Sequence, residues 1–212
     1  MRKNERAQGV MKIFDEIYPD VKCSLNYKTP LEMLIATQLS AQCTDARVNI
    51  VTESLFKKYT SAEDFANAKQ EELENDIRSA GFYRSKARNI INCCQRIKDV
   101  YNGKVPDTME DLLTLPGTGR KTANLVLGDV YHQPAVVVDT HCIRLSNRIG
   151  LVNTEDPVKI ELELKKLIPP QKQLKLCHQL VHHGRVRCNA RKPDCGNCEI
   201  NMYCKYFGIK NK

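Results

Sequence analysis

The stretch Leu115-Pro116-Gly117-Thr118-Gly119-Arg120-Lys121-Thr122 lies between two segments, 109–115 and 123–127, whose apolar residues have helical spacing. Two glycines so close together let the chain turn tightly between two helices. They also leave backbone N–H groups unpaired at the start of the second helix, where phosphate oxygen can bind. The spacing is not that of a Walker loop. An ordinary helix–turn–helix corner with glycine as its cap remains open at this point.

Helical periodicity extends over almost the whole chain, and we predict an all-α protein. In the segment 85–103 the apolar residues, which include Val100, share one face of a predicted helix, and the polar residues, which include Lys86, share the other. Gly103 ends this helix. Thr29-Pro30-Leu31-Glu32 and Asp156-Pro157 are typical helix starts. Further helices are predicted over 4–17, 44–59, 109–115, 121–131, 140–148 and 173–184. The one strand-like run is Ala135 to Val138.

The charge balance favours a polyanionic partner without establishing one. Among 212 residues, 33 Lys and Arg against 25 Asp and Glu give a formal charge of +8. A basic surface of this size suits nucleic acid, although many basic proteins bind none. The sequence contains neither an apolar run of the roughly 20 residues that a membrane helix needs nor a secretory signal. We therefore expect an intracellular protein without a membrane partner.

The ten cysteines fall into two groups. Six are scattered and are predicted to be small buried hydrophobic residues: Cys23, Cys43, Cys93, Cys94, Cys142 and Cys177. The other four, Cys188, Cys195, Cys198 and Cys204, have the spacing C-x6-C-x2-C-x5-C. Thiolates packed this closely need a metal centre to neutralise them, and four free thiols would be an oxidation liability. The spacing leaves an iron–sulfur cluster and zinc both open.

Lys121 and Asp139 are candidates for chemistry, each with an ordinary alternative. Lys121 would lie in the first turn of a helix beside Arg120, where the helix dipole disfavours positive charge and so favours a nucleophilic amine. A solvated surface lysine is the alternative. Asp139 follows the run Val136–Val138, and its alternative role is a helix N-cap. His178 and His182 have the spacing of a zinc-protease helix, but Gln179 replaces the glutamate base, so this function is excluded.

Several motifs occur together and in one order along nearly the whole chain. They are Leu39-Ser40-Ala41-Gln42-x-Thr44-Asp45, Tyr83-x-Ser85-Lys86-Ala87, the glycine hairpin with Lys121, Val138-Asp139-Thr140-His141, and the four clustered cysteines. With these motifs, the sequence resembles the endonuclease III family of DNA glycosylases over about residues 10 to 204. The resemblance implies a two-lobed helix-hairpin-helix fold. One lobe would be a six-helix barrel over 24–134, the other an iron–sulfur lobe of 1–23 plus 135–212, with DNA across the groove between them.

The resemblance also assigns residues. It implies that Lys121 is the nucleophile, Asp139 the activating carboxylate, and Cys188, Cys195, Cys198 and Cys204 the ligands of a [4Fe-4S] cluster. Gln42 matches the residue that fills the space left by a flipped nucleotide. Gly117 and Gly119 would contact phosphate through their backbone N–H groups. Arg191 and Lys192 would contact it through their side chains.

Three positions depart from the family pattern. Phe82 stands where an aliphatic wedge beside Tyr83 is usual, Gln38 where an apolar residue is usual, and Thr118 where valine is usual. The first two bear on strand opening and on the preference for the opposite base.

The function implied by the resemblance is that of a bifunctional DNA glycosylase and abasic-site lyase in base excision repair. It would excise oxidised pyrimidines from double-stranded DNA and cleave 3′ to the abasic site by β-elimination through a lysine Schiff base. The protein would be a bacterial, cytoplasmic, nucleoid-associated monomer. Relatives that remove adenine lack a lysine at the position of Lys121, so this sequence fits that class of glycosylase poorly. The alternative to an enzyme is a DNA-binding module without catalytic activity, in which a metal centre stabilises the C-terminal loop.

Overall fold

The computed structural model describes residues 1–210, and the secondary structure in this range consists of helices without strands. The prediction of an all-α protein is therefore confirmed. Three short 3-10 turns occur at Arg78–Ala80, Pro170–Lys172 and Asn201–Tyr203. The α-helices, in chain order, are α1 (Lys3–Ile17), α2 (Pro30–Leu39), α3 (Asp45–Lys58), α4 (Ala62–Ala66), α5 (Gln70–Asp76), α6 (Tyr83–Tyr101), α7 (Met109–Leu113), α8 (Arg120–Asp129), α9 (Thr140–Ile149), α10 (Pro157–Leu167), α11 (Gln173–Val186) and α12 (Lys205–Lys210).

The chain divides into two compact units. The hairpin unit is the continuous segment Ser24–Gln133 and contains α2 to α8. The cysteine unit combines Met1–Cys23 with the chain from Pro134 onward, so that α1 packs with helices that are more than a hundred residues away in sequence.

The hairpin unit is built around α2 and α6. Helix α2 is buried along the whole of Met33 to Leu39, and it contacts α3, α6 and α8. Helix α6 packs against α4 and α5, which cover its buried face at Ile90, Cys94 and Ile97. Burial on several sides gives α2 an almost continuous apolar sequence, whereas α6 keeps a polar face.

The cysteine unit has its core between α1, α9, α10 and α11. Phe14 of α1, Leu145 of α9, Ile160 of α10 and Leu180 of α11 are all completely excluded from solvent. Helix α9 also contacts α12, which follows the last cysteine. The residues Ala135 to Val138, which looked strand-like in sequence, are buried but form no strand, and they lead into α9 at Asp139.

Two helix starts that the sequence predicted are present. Thr29 Oγ1 accepts a hydrogen bond from Glu32 N at 3.1 Å, with Pro30 at the first helical position. Asp156 Oδ1 accepts from Val158 N and Lys159 N at 2.8 and 3.1 Å. Glu32 departs from a capping box, because its carboxylate accepts from the N–H of Lys28 rather than of Thr29.

Several predictions about segments and side chains were wrong. No helix was predicted between residues 60 and 82, where α4 and α5 are too short to show a clear periodicity. Cys23 and Cys43 are partly exposed, whereas the other four scattered cysteines are buried as predicted. Val100, placed on the apolar face of α6, has 52% of its surface exposed because it lies in the last turn of the helix.

Lys86 is the largest departure, because it was placed on the polar face and is buried at 6% exposure. Its Nζ donates to Leu39 O at 2.7 Å and to Ala80 O at 2.9 Å, which are the last residues of α2 and of the first 3-10 turn. Carbonyl groups at helix ends lack intrahelical partners, and a buried cation there satisfies two of them at once. Burial lowers the pKa of Lys86. The lysine therefore joins three segments of the hairpin unit.

Replacing Lys86 with methionine is expected to lower the free energy of unfolding by about 2–4 kcal/mol, because two charge-assisted hydrogen bonds are lost and two carbonyls are left unpaired. Urea unfolding followed by circular dichroism measures this change. Lys98→Met, on the partly exposed side of the same helix, is the matched control and should change stability by less than about 0.5 kcal/mol. Equal effects of the two substitutions would contradict a structural role for Lys86.

Among residues 1–210, no helix combines the length and the apolar character needed to cross a membrane.

Candidate nucleic-acid interface and metal centre

The four clustered cysteines line a single cavity in the cysteine unit. Cys188 follows α11, Cys195 and Cys198 lie in the loop after it, and Cys204 directly precedes α12. The rest of the lining combines apolar residues, such as Leu145, Ile149 and Phe207, with charged and polar ones, among them Arg148 and His183. The structure therefore brings together all four residues that were predicted as metal ligands, although it does not by itself identify an occupant.

Charged pairs hold the cysteine loop to α11. Arg187 donates from Nη1 to Asp194 Oδ2 at 3.0 Å and from Nη2 to Glu199 Oε1 at 2.9 Å. The backbone N–H of Asp194 also donates to Arg187 O at 3.0 Å. These bonds fix both ends of the segment that carries Cys195 and Cys198.

Two further side chains contact the cysteine sulfurs. Arg148 of α9 donates from Nη1 to Cys188 Sγ at 3.3 Å, and its guanidinium also donates to the carbonyls of Asn189 and Ala190. His183 of α11 has Nε2 at 3.4 Å from Cys198 Sγ. Burial lowers the pKa of His183 to about 4. Sequence reasoning missed both contacts, since the partners lie 40 and 15 residues apart and no local pattern marks them.

The chemistry of these residues fits a metal cluster. Burial raises the pKa of the Cys198 thiol to about 11 and also raises that of Cys204. Thiolates in this loop therefore need a strong positive charge among them, which a metal centre supplies. In residues 1–210 no three His, Cys, Asp or Glu side chains are grouped as one metal ion requires. Four cysteine sulfurs around one cavity are the ligand set that a [4Fe-4S] cluster takes.

The glycine hairpin lies between α7 and α8 of the hairpin unit, as the sequence predicted. Gly117 has φ +74°, a conformation that residues with a Cβ rarely adopt, and a Cβ there would be 3.0 Å from Asn89 Cβ. Gly119 is the N-cap of α8 and has no side chain to bond the first N–H groups of the helix. The start of α8 therefore lacks a side-chain cap, which is the kind of helix N-terminus where anions bind in proteins.

Lys121 is the second residue of α8, and its side chain is exposed. The following residues, Thr122 to Gly128, are all buried and anchor the helix in the hairpin unit. Within residues 1–210, the Lys121 side chain makes no hydrogen bond or ion pair. The structure thus presents a primary amine in the first turn of the helix that follows the hairpin.

Three predicted DNA-binding residues from separate segments line one cavity of about 240 Å³ in the hairpin unit. They are Gln42 after α2, Phe82 before α6 and Gly117 of the hairpin. Gln42 and Phe82 have φ values of +54° and +49°, and 64% of the Phe82 surface is exposed. Left-handed backbone at residues other than glycine costs about 1–3 kcal/mol and is concentrated at functional sites.

Gln38 and Thr118, two departures from the family pattern, bond to each other beneath this cavity. Gln38 Nε2 donates to Pro116 O at 3.1 Å and to Thr118 Oγ1 at 3.3 Å. The two polar substitutions are therefore a matched pair that ties α2 to the hairpin.

Asp139 is the N-cap of α9, as its ordinary alternative proposed. Its Oδ1 accepts a hydrogen bond from Cys142 N at 2.7 Å. Its other oxygen, Oδ2, takes no hydrogen bond from residues 1–210. One oxygen of the carboxylate therefore caps α9, and the other makes no contact of this kind.

The remaining predicted residues lie apart from these sites. Arg191 and Lys192 are exposed in the loop between Cys188 and Cys195, and neither lines the cysteine cavity. Gly119 and Lys121 do not line the cavity that contains Gln42.

The chain matches known proteins over nearly its full length. The family model of the HhH-GPD superfamily of base excision DNA repair proteins matches residues 35–170. Endonuclease III of Synechocystis is 47% identical over 203 residues, which are 95% of this chain and 93% of the relative. The chain belongs to the endonuclease III family.

Solved structures of the family share the fold. A non-covalent endonuclease III–DNA complex has a TM-score of 0.93 at 40% identity and covers 100% of this chain and 99% of its own. A trapped covalent endonuclease III–DNA intermediate, described as an estranged-adenine complex, has a TM-score of 0.94 at 40% identity and full coverage of both chains. As a member of the endonuclease III family, the protein is a DNA glycosylase with lyase activity that acts in base excision repair. The alternative of a non-enzymatic module is set aside.

Proposed function

We propose that this enzyme excises oxidised pyrimidines from double-stranded DNA and cleaves the strand on the 3′ side of the abasic site by β-elimination. The observation that carries this proposal is the exposed Lys121 amine in the first turn of α8, directly after a glycine hairpin that gives the helix no side-chain cap. A phosphate held by the N–H groups of this helix start would fix the DNA backbone within the same helical turn as a nucleophile. The damaged nucleotide must first leave the base stack, because a stacked base shields its sugar carbon.

The Lys121 amine then attacks C1′ while the bond between C1′ and the base breaks, and the base leaves with the bonding electrons. Loss of a proton from nitrogen and opening of the sugar ring give a Schiff base between Lys121 and C1′. Removal of a proton from C2′ forms a C2′–C3′ double bond and expels the 3′ phosphate. The strand is thereby cleaved without a water nucleophile.

Asp139 supplies negative charge to the same reaction. Its carboxylate stabilises the positive charge that develops on the sugar as the base leaves, or accepts the proton that the Lys121 amine loses. The bond from Cys142 N holds the carboxylate at the end of α9 and leaves Oδ2 for this role. Fixing one oxygen also restricts the rotation of the other, so little ordering is needed when DNA binds.

Gln42 and Phe82 are proposed to act on the duplex from which the nucleotide is extruded. Both are exposed, both have left-handed backbone, and both line the cavity that Gly117 shares. The Gln42 amide can replace hydrogen bonds that a flipped base gives up, whereas the Phe82 ring can wedge between base steps. Because phenylalanine is flat and larger than an aliphatic wedge, stacking on the neighbouring base would add to its effect.

The remaining contacts go to phosphate. Gly117 and Gly119 would donate from the backbone, and Arg191 and Lys192 would contribute exposed positive charge from the cysteine loop. Such contacts fix position without reading sequence. They suit an enzyme that must scan bacterial chromosomal DNA for rare lesions, where it would be bound within the nucleoid as a monomer.

Cys188, Cys195, Cys198 and Cys204 are proposed to hold a [4Fe-4S] cluster. The cavity lined by all four sulfurs and the raised thiol pKa of Cys198 and Cys204 support this assignment. When bound, the cluster would supply a covalent staple for the loop and a redox-active centre. The loop would then present Arg191 and Lys192 in a fixed position.

The purified protein is expected to be brown, with broad absorption near about 400 nm and about four irons per chain. Cys198→Ser should lose most of the iron and bind DNA more weakly, because the loop with Arg191 and Lys192 loses its staple. Cys43→Ser, at a partly exposed cysteine of the hairpin unit, is the control and should keep full iron content. Stoichiometric zinc without iron after anaerobic purification would contradict the assignment.

The test of the proposed function is a duplex carrying a single thymine glycol, incubated with the enzyme in the presence of borohydride. Reduction of the Schiff base should give a covalent protein–DNA adduct, and omission of borohydride should give a strand cleaved 3′ to the lesion. An undamaged duplex is the control. Release of the base without adduct or cleavage would show that water is the nucleophile and would refute the lyase route through lysine.

A further inference from the structure

His183 connects the first helix of the chain to the cysteine loop. It is buried at 1% exposure on α11. Its Nδ1 lies 3.0 Å from the hydroxyl of Tyr18, which directly follows α1, and its Nε2 lies 3.4 Å from Cys198 Sγ. The two ring nitrogens therefore face two partners on opposite sides of the imidazole.

The chemistry of the two partners fixes where the ring protons are. A thiolate bound to iron can only accept a hydrogen bond, so Nε2 must carry a proton to bond it. In a neutral imidazole Nδ1 is then an acceptor, and the Tyr18 hydroxyl is its donor. The hydroxyl of Tyr18 thus stabilises the tautomer that the thiolate requires, because it donates to the ring nitrogen without a proton.

Packing holds this arrangement in place. The Phe14 ring lies 4.9 Å from the His183 ring and 5.5 Å from the Tyr18 ring, measured between centroids. The ring of His182 meets Tyr18 edge-on at 4.7 Å. The His183 imidazole has little room to flip, because it is almost completely buried and the rings of Phe14 and Tyr18 pack against it.

We propose that His183, held in one tautomer by Tyr18, donates an N–H···S hydrogen bond to the Cys198 thiolate and thereby raises the reduction potential of the cluster. This inference rests on the proposed [4Fe-4S] cluster. A hydrogen bond to a cluster sulfur withdraws electron density and stabilises the reduced, more negative state. His183 and Tyr18 are positioning residues, since neither touches DNA or the reacting atoms in this role.

The bond at Cys198 differs from the one at Cys188. Arg148 also donates to two loop carbonyls, so its removal would disturb the fold of the loop together with the sulfur. The His183 side chain contacts the cysteine loop at the Cys198 sulfur, and the bond from Cys188 N goes to the backbone carbonyl of His183, which a substitution leaves in place. Its replacement therefore separates an electronic effect from a structural one more cleanly.

The experiment compares the parent protein with His183→Phe, His183→Gln and Tyr18→Phe. Iron content and cluster absorption are measured first, and then the reduction potential of each DNA-bound protein by electrochemistry. The frequencies of the iron–cysteine stretching vibrations are measured by resonance Raman spectroscopy. His182→Phe is the matched control, because it keeps a ring against Tyr18 and changes no group that faces a cysteine.

His183→Phe should shift the potential to a more negative value and strengthen the iron–cysteine stretch. His183→Gln, whose amide can still donate, should restore most of the parent value. Tyr18→Phe should shift the potential in the same direction but less, and it should have no further effect in the His183→Gln background. His182→Phe should leave the potential unchanged.

Equal potentials in the parent, His183→Phe and Tyr18→Phe, all with full iron content, would refute this inference and leave the cluster proposal standing. If His183→Phe fails to hold iron, an unchanged potential in Tyr18→Phe refutes the inference by itself. A parent protein without iron would refute the cluster proposal, and the inference would fall with it.

Discussion

Lys121→Gln is expected to abolish the borohydride-trapped adduct and to lower strand cleavage at least roughly 10³-fold, because no other amine takes the place of the nucleophile. Glutamine has a similar length and is compatible with a helix, so α8 should remain folded. The Lys121 side chain is exposed and makes no hydrogen bond within residues 1–210, so its replacement should leave the unfolding temperature unchanged. Trapping, cleavage and thermal unfolding are measured on the same preparation.

Binding to an abasic-site analogue should persist in Lys121→Gln. Its affinity should fall with added salt along the same slope as in the parent, because a lysine that faces C1′ neutralises no phosphate. If the logarithm of the binding constant of Lys121→Gln falls with the logarithm of salt concentration along a slope that is smaller in magnitude by about 0.9 than that of the parent, Lys121 is instead a phosphate contact. Lys104→Gln, at an exposed lysine of the same unit, is the matched control and should trap and cleave as the parent does. A Lys121→Gln protein that still forms the adduct would assign the nucleophile to another amine.

Asp139→Asn is expected to lower turnover by about 10²–10³-fold while it changes the affinity for damaged DNA by no more than about threefold. Asparagine keeps an oxygen that can accept from Cys142 N, and it is as good an N-cap as aspartate. The negative charge, in contrast, is lost. Single-turnover kinetics separate the chemical step from binding.

Asp156→Asn is the matched control for this prediction. Asp156 is the N-cap of α10 in the same unit and accepts from Val158 N and Lys159 N in the same way. The Asp156→Asn substitution should change neither turnover nor the free energy of unfolding by a measurable amount. If Asp139→Asn behaves like Asp156→Asn, the role of Asp139 ends at capping α9.

Sequence reasoning predicted where the hairpin and the cysteine cluster lie, but it did not establish the catalytic roles of Lys121 and Asp139. The hairpin was predictable, since its glycines and the helices on each side are contiguous in the chain, and the structure confirms the two helices around it. The convergence of four cysteines was also implied by a spacing that spans only 17 residues. The catalytic roles of Lys121 and Asp139 stay predictions, because an exposed amine and a capping carboxylate have ordinary explanations in the structure.

Lys86 and His183 show where sequence reasoning stops. Helical periodicity placed Lys86 on the polar face of α6, and it could not foresee that the ends of two other segments would direct their carbonyls to that side. No local sequence pattern distinguishes His183 from the neighbouring His182. The partners of its ring nitrogens, Tyr18 and Cys198, lie 165 residues before it and 15 residues after it. Burial of a polar group depends on what packs against it, which no local pattern records.

The sequence by itself determined the helical class, the helix starts at Thr29 and Asp156, the hairpin and the grouping of the four cysteines. Each of these depends on hydrogen bonds or steric preferences within about twenty residues, which local composition specifies directly. Only the tertiary structure decided that Lys86 is buried, that His183 bonds Cys198, and that Gln42, Phe82 and Gly117 share one cavity. These features need segments that are distant in the chain to pack together, and the free energy of that packing is a property of the whole core.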